Sequence, residues 1–267
     1  MADLPSKDTA EGGFQVRTFF VRNRNALYVR VDMSELYVDY YLHLSENGVK
    51  PAPEHDALFK RALAGFVLHS VSRPWNELTA WTMNFQDPRV NLFLTGDNET
   101  GGVAGRVFAE NVRELPENLF YTDVVRGKEP KRRSTINFTG PDPLVAVEKF
   151  YDQSEQRLGR FFQTGEEEFA FVIEHPDCDH AWLRALTVEQ VKGIETAETL
   201  SQLESRVVKW QCGCNQNRIM GVLATAMRSD PADLFGDVEK IEVRCPRCAA
   251  RYTVTREAME ALVAEKP

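Results

Sequence analysis

The sequence predicts an α+β fold: an N-terminal β-sheet domain with packed helices, a helical linker, and a small C-terminal domain organised by cysteines. Three observations carry this. Strand-like runs are grouped, with helices beside them, and show no regular βαβ alternation. Residues 161–205 hold ten Asp or Glu against two basic residues, which accounts for the whole net charge of −8 and leaves 30 against 30 elsewhere. Four of the five cysteines lie in two close pairs near the C-terminus, Cys212 with Cys214 and Cys245 with Cys248. These features set boundaries at 1–165 for the core domain, 166–205 for an acidic, metastable linker and 206–267 for the cysteine domain. A chain of 267 residues with 43% hydrophobic content has enough apolar surface for one large core and a smaller unit.

FQVRTFFVR and ALYVRVDM open the fold as strands, rich in aromatic and β-branched residues. Ser34 is expected to cap a helix carrying Leu36, Tyr40 and Leu44 on one face. The helix after PAPEHD has an apolar stripe through Phe59, Ala62, Leu63, Phe66 and Val67 that should pack on a sheet. LTAWTMNF, VNLFLTG, AGRVFAEN and STINFTG supply that sheet, separated by turn clusters such as QDPR and GDNETGG. Asp142 before Pro143 marks a further helix start, and EEFAFVIE a further strand. TVEQVKGIETAETLSQLESR reads as two modest helices, too charged to form a core of their own.

In the last part, Asn215 caps the helix NRIMGVLATAM and Asp230 with Pro231 begins another helical turn. IEVRC and ARYTVT form a hairpin around the second cysteine pair, and REAMEALVAE closes the chain as a helix. The pattern C-x-C, thirty residues, C-x-x-C lets two turns deliver two sulfurs each to one ion. Four thiolates suit tetrahedral zinc, so Cys212, Cys214, Cys245 and Cys248 are the expected Zn²⁺ ligands. A unit this small has too little apolar area to fold securely alone, and zinc would hold it together. Spacing alone does not separate a permanent zinc ribbon from a redox switch, and base rates favour the permanent structural zinc.

The run CGC, thirty residues, CPRC, then Tyr252 in an apolar strand resembles the heat shock protein 33 family, the 33 kDa chaperonins. KFYDQSEQRLGRFF is similar to that family's helix with a Ser-Glu-Gln segment, and PKRRSTINFTGPDPLVAVEKFY to the strand and helix before it. The likeness is good from about residue 86 onward and looser before. It implies a redox-regulated, ATP-independent holdase, inactive with zinc bound and reduced. It also implies that oxidation forms the disulfides Cys212–Cys214 and Cys245–Cys248, releases zinc and unfolds module and linker. The activated form, a homodimer, would then hold unfolded client proteins. Phe169, Phe171, Trp182, Leu186, Val191, Ile194 and Leu203, interspersed among the linker's charges, are the expected client-facing residues.

Other readings are weaker. A zinc-ribbon protein binding nucleic acid is the alternative, but residues 206–267 hold ten basic and eight acidic groups and become about neutral once four thiolates hold a zinc. A thiol oxidoreductase would need C-x-x-C in a thioredoxin-like βαβ unit, which is missing. G-x-S-x-G, H-E-x-x-H and a dinucleotide fingerprint are also missing, so no enzyme class is supported. His69 reads as a core histidine, Cys178 between His175 and His180 as part of a solvated acidic loop, and GKEPKRR as an exposed loop between strands. The acidic N-terminus has no apolar signal region, and the longest uncharged apolar stretch is about half of a membrane span. The expected setting is cytoplasmic, without membrane partners.

Overall fold

The computed structural model describes residues 12–229 and 234–265. The expected turn at Asp230 and Pro231 lies outside the described residues. The α+β architecture is as predicted. Its frame is a ten-stranded sheet in the order β7-β6-β3-β4-β5-β10-β1-β2-β9-β8. In chain order the strands are β1 (Phe14–Val21), β2 (Ala26–Asp32), β3 (Glu77–Gln86), β4 (Arg89–Asp97), β5 (Gly102–Phe108), β6 (Asn118–Arg126), β7 (Arg132–Phe138), β8 (Gly159–Gln163), β9 (Glu168–Glu174) and β10 (Leu200–Trp210).

One face of the sheet is covered by α1 (Ser34–Glu46), α2 (Pro53–Val71) and α3 (Pro143–Phe150). The predicted stripe of α2 supplies Phe59, Leu63, Phe66 and Val67 to this core, where they meet Trp81, Leu92 and Leu94 of the central strands. Asp142 caps α3 by accepting from the Leu144 N–H at 2.9 Å, while Arg61 grips the same carboxylate through Nε at 2.7 Å and Nη2 at 2.8 Å. Ser34 does not cap α1. It is the first helical residue, and Asp32 performs the service by accepting from both its N–H and its hydroxyl. A carboxylate at the end of β2 reaches the orphan donors that Ser34, already inside the helix, cannot.

After α3 the chain makes one π-helical turn, Tyr151–Glu155, which sets the Tyr151 hydroxyl 2.8 Å from Nδ1 of His69. His69 is buried in the principal core, as expected of a core histidine.

The opposite face is covered in two places. Short helices α4 (His180–Ala185), α5 (Val188–Lys192) and α6 (Ile194–Ala197) lay Leu183, Leu186, Val191 and Ile194 over Tyr28, Phe162 and Val172. Over β5 sits the cysteine module: α7 (Gln216–Ser229), the hairpin β11 (Lys240–Arg244) with β12 (Arg251–Thr255), and α8 (Arg256–Glu265). Its core reaches the sheet at Ala104, which is fully buried.

Two parts of the predicted linker are sheet. β9 is flanked by β2 and β8, so Phe169 and Phe171 belong to the principal core. LSQLESR, expected to be helical, is the first part of β10. The helical pattern yields because β1 offers a full antiparallel ladder to this segment, from Phe14 opposite Val208 to Val21 opposite Leu200. On its other side β10 meets β5 in parallel through only two residue pairs, Lys209 with Gly102 and Trp210 with Val103. Gly101 makes this junction possible: its φ is +67°, and a Cβ there would stand 2.1 Å from the Val207 carbonyl oxygen.

Candidate metal centre

Two local structures bring the four cysteines together. Cys212 and Cys214 lie just past the end of β10, where Gly213 takes a φ of +67° that turns both sulfurs to the same side. Asn215 then caps α7 by accepting from the Arg218 N–H at 2.9 Å, which fixes the helix directly behind the pair. Cys245 and Cys248 sit in the tight turn between β11 and β12. The Cys245 N–H donates to the Ala250 carbonyl at 2.8 Å, the Ala249 N–H donates to the Cys245 carbonyl at 2.9 Å, and Ala249 has a φ of +65°.

The four Sγ atoms lie within 4.8 Å of one another, the sole such cluster of potential ligands among the described residues. Cys212 Sγ is 3.8 Å from Cys245 Sγ, and Cys214 Sγ is 3.6 Å from Cys248 Sγ. The edge of a tetrahedral zinc–thiolate site is about 3.8 Å, given metal–sulfur bonds of about 2.3 Å. The donor set therefore fits a tetrahedral, thiophilic divalent ion. Cys245 and Cys248 are each 1% exposed, whereas Cys212 and Cys214 are partly open to solvent.

Hydrogen bonds among the sulfurs favour thiolate at Cys245 and disfavour it at Cys212 and Cys248. Bonds from the Cys212 and Cys248 thiols, then the backbone N–H groups of Arg247 and Cys248, hold the Cys245 thiol far below its usual range. Cys212 is pushed up to about 12, first by its bond to Cys245. Four sulfurs this close cannot all ionise against one another, and a divalent cation removes that conflict. The Tyr252 hydroxyl donates to Cys214 Sγ at 3.1 Å and the Ala250 N–H to Cys248, so the outer coordination sphere is also prepared.

The module is docked through the cysteine turn itself. Arg106 Nη1 of β5 donates to the Cys245 carbonyl at 3.2 Å, and His43 Nε2 of α1 lies 2.7 Å from the Cys248 carbonyl. Arg247, between the two cysteines, donates to Thr95 Oγ1 of β4 at 3.1 Å, and the Arg251 N–H donates to Asn47 Oδ1 at 2.8 Å. Sequence reasoning did not reach His43, Thr95 or Arg106, because single side chains on three separate elements leave no spacing signal.

Cys178 stays apart from the centre, half-buried against the α4–α6 cluster. The neighbouring histidines have other partners: His180 Nε2 is 2.8 Å from Glu174 Oε2, and His175 meets the Phe20 ring edge-on at 5.4 Å between centroids.

Fold and site together define a class: an α+β sheet domain carrying a docked four-cysteine module. The family model described as Hsp33 protein matches residues 141–255. The 33 kDa chaperonin of Proteus mirabilis is 20% identical over 254 residues, which is 81% of this chain and 86% of that protein. The 33 kDa chaperonin of Streptococcus pneumoniae is 26% identical over 76 residues, 28% of this chain and 26% of that one. The crystal structure of the Thermotoga maritima 33 kDa chaperonin, a heat shock protein 33 homologue, shares the fold with a TM-score of 0.72 at 16% identity, covering 94% of this chain and 98% of that one. The chain thus resembles the heat shock protein 33 family in sequence over residues 141–255 and shares the fold of its Thermotoga maritima homologue along almost its whole length.

Proposed function

We propose that this chain is a redox-regulated, ATP-independent holdase that binds unfolding proteins under oxidative stress. The observation that carries the reading is the convergence of four sulfurs, from two turns far apart in sequence, at tetrahedral spacing and on the face of the main sheet. Cys212, Cys214, Cys245 and Cys248 would hold Zn²⁺, and the bound metal supplies the cross-link that keeps residues 206–267 folded. A structural zinc of this kind contributes on the order of 10 kcal/mol of folding free energy, more than so small a core retains without it.

The switch is a four-electron oxidation. Two molecules of peroxide and four protons take four electrons from the four thiolates, giving two disulfides, Cys212–Cys214 and Cys245–Cys248, with four waters and free Zn²⁺. Loss of the metal unfolds residues 206–267 and loosens the acidic segment 166–205, within which α4–α6 are short and rest on a small apolar cluster of their own. Leu186, Val191 and Ile194, covered in the reduced fold, then become available to clients, while the surrounding carboxylates keep the complex soluble. Activation as a homodimer in the cytoplasm completes the proposal. No helix among the described residues is long and apolar enough to cross a membrane.

The test treats zinc-loaded protein with peroxide and follows zinc release, free thiols and suppression of a heat-unfolded client's aggregation together. All three should move on one time course. Zinc retained under peroxide, or client holding that ignores the thiol state, would return the centre to a permanent structural role.

A further inference from the structure

Arg106 is the feature of the docked module that its surroundings least explain. It stands on β5, facing the cysteine turn, with its guanidinium 4.3 Å from the centroid of the Phe108 ring. Its one direct hydrogen bond among the described residues goes to the Cys245 carbonyl, and its Nε is buried with no partner. No carboxylate is among the charges that act on it: the nearby cation is Arg244, which repels it, and the anions are the sulfurs of Cys245 and Cys248. Arg244 has Glu242 at 3.8 Å, but no acidic side chain faces Arg106 itself, and a half-buried cation beside a second cation is costly unless another negative charge is present. Four thiolates around one divalent ion carry a net charge of about −2, and this is the charge that completes the site.

We propose that Arg106 is a positioning residue of the metal centre: a cation from the main sheet that neutralises the four-thiolate site, holds the cysteine turn by the Cys245 carbonyl, and loses its reason to stay docked when that charge disappears. The inference rests on the zinc reading above and adds a route by which the state of the sulfurs reaches β5. In the metal-bound form the attraction between Arg106 and the thiolates presses the module onto Ala104. Conversion of thiolates to disulfides leaves Arg106 and Arg244 facing each other over neutral sulfur. The same interaction that docks the module then opposes docking.

The test needs neither oxidant nor client, so it fails or succeeds separately from the switch. Zinc-loaded, reduced full-length protein is mixed with excess chromogenic chelator and the metal-transfer rate is measured for wild type, Arg106→Gln and Arg106→Lys. Loss of an outer-sphere partner of a metal site weakens binding by about tenfold or more. Arg106→Gln, which keeps donors but loses charge, should transfer metal about tenfold faster, and Arg106→Lys should remain close to wild type. Equal rates for all three, or a lysine variant as fast as the glutamine variant, would overturn the proposal. Should the variants fold poorly, arginine modification by phenylglyoxal in wild type decides. Arg106 should be protected in the zinc-loaded protein and reactive after the metal is stripped, and equal reactivity in both would also overturn it.

Discussion

A histidine enclosed by Trp81, Phe150 and Tyr151 must remain neutral. Burial holds the His69 ring well below its ordinary value of 6.5, and the positive charge of Arg73 pushes it the same way. The unfolded chain takes up a proton here below about pH 6.5 while the folded chain does not, so the contribution is full above that pH and declines as pH falls toward the depressed folded value. The urea midpoint should therefore drop between pH 7 and pH 5, and His69→Gln should make that slope shallower. Cys178 gives a second residue-scale expectation. Burial raises its thiol, with Glu174 and Asp179 adding to the effect, and its sulfur is not among the clustered four. Cys178→Ser should keep one zinc per chain by metal analysis, whereas Cys248→Ser should lose it. The clustering of the four cysteines was legible in the sequence because paired cysteines announce themselves by spacing. His43 and Arg106 were not, since their role depends on where α1 and β5 meet the cysteine turn.

At the scale of elements, the strands and helices that announced themselves were those with local instructions. Proline and aspartate at the start of α3, the apolar stripe of α2 and the asparagine before α7 all act within one turn of chain. β6 and β8 were not anticipated, and β10 was expected to be helical. β8 is five residues long and sits at the sheet edge, while β10 draws its conformation from distant partners. Residues such as Ser201, Gln202, Glu204 and Ser205 carry little strand preference, so the ladder to β1 decides. That dependence on tertiary partners can be probed at the turn before β5. Gly101→Ala forces a side chain into left-handed backbone and against the Val207 carbonyl oxygen, and should cost about 2 kcal/mol or more of stability, read as a lower urea midpoint. An alanine variant as stable as wild type would mean that the β5–β10 junction contributes little to the fold.

Across the whole molecule, β10 is the sixth strand of ten and the one from which the chain passes directly to the cysteines. Five strands from β7 to β5 lie on one side of the β5–β10 junction and five from β10 to β8 on the other. The Gln211 N–H donates to the Val103 carbonyl at 2.8 Å, and the next residue is Cys212. After peroxide treatment, amide exchange should accelerate first at Lys209 and Gln211, then through residues 212–265, while β3 and β4 keep their protection. Uniform loss across the sheet would point instead to global unfolding. The shortest link between the two half-sheets thus ends one peptide bond from a sulfur. Under the proposed switch, a chemical event too small to disturb a continuous sheet would fall where it can unfasten the narrowest seam, and an oxidised pair would act with the leverage of a pulled thread.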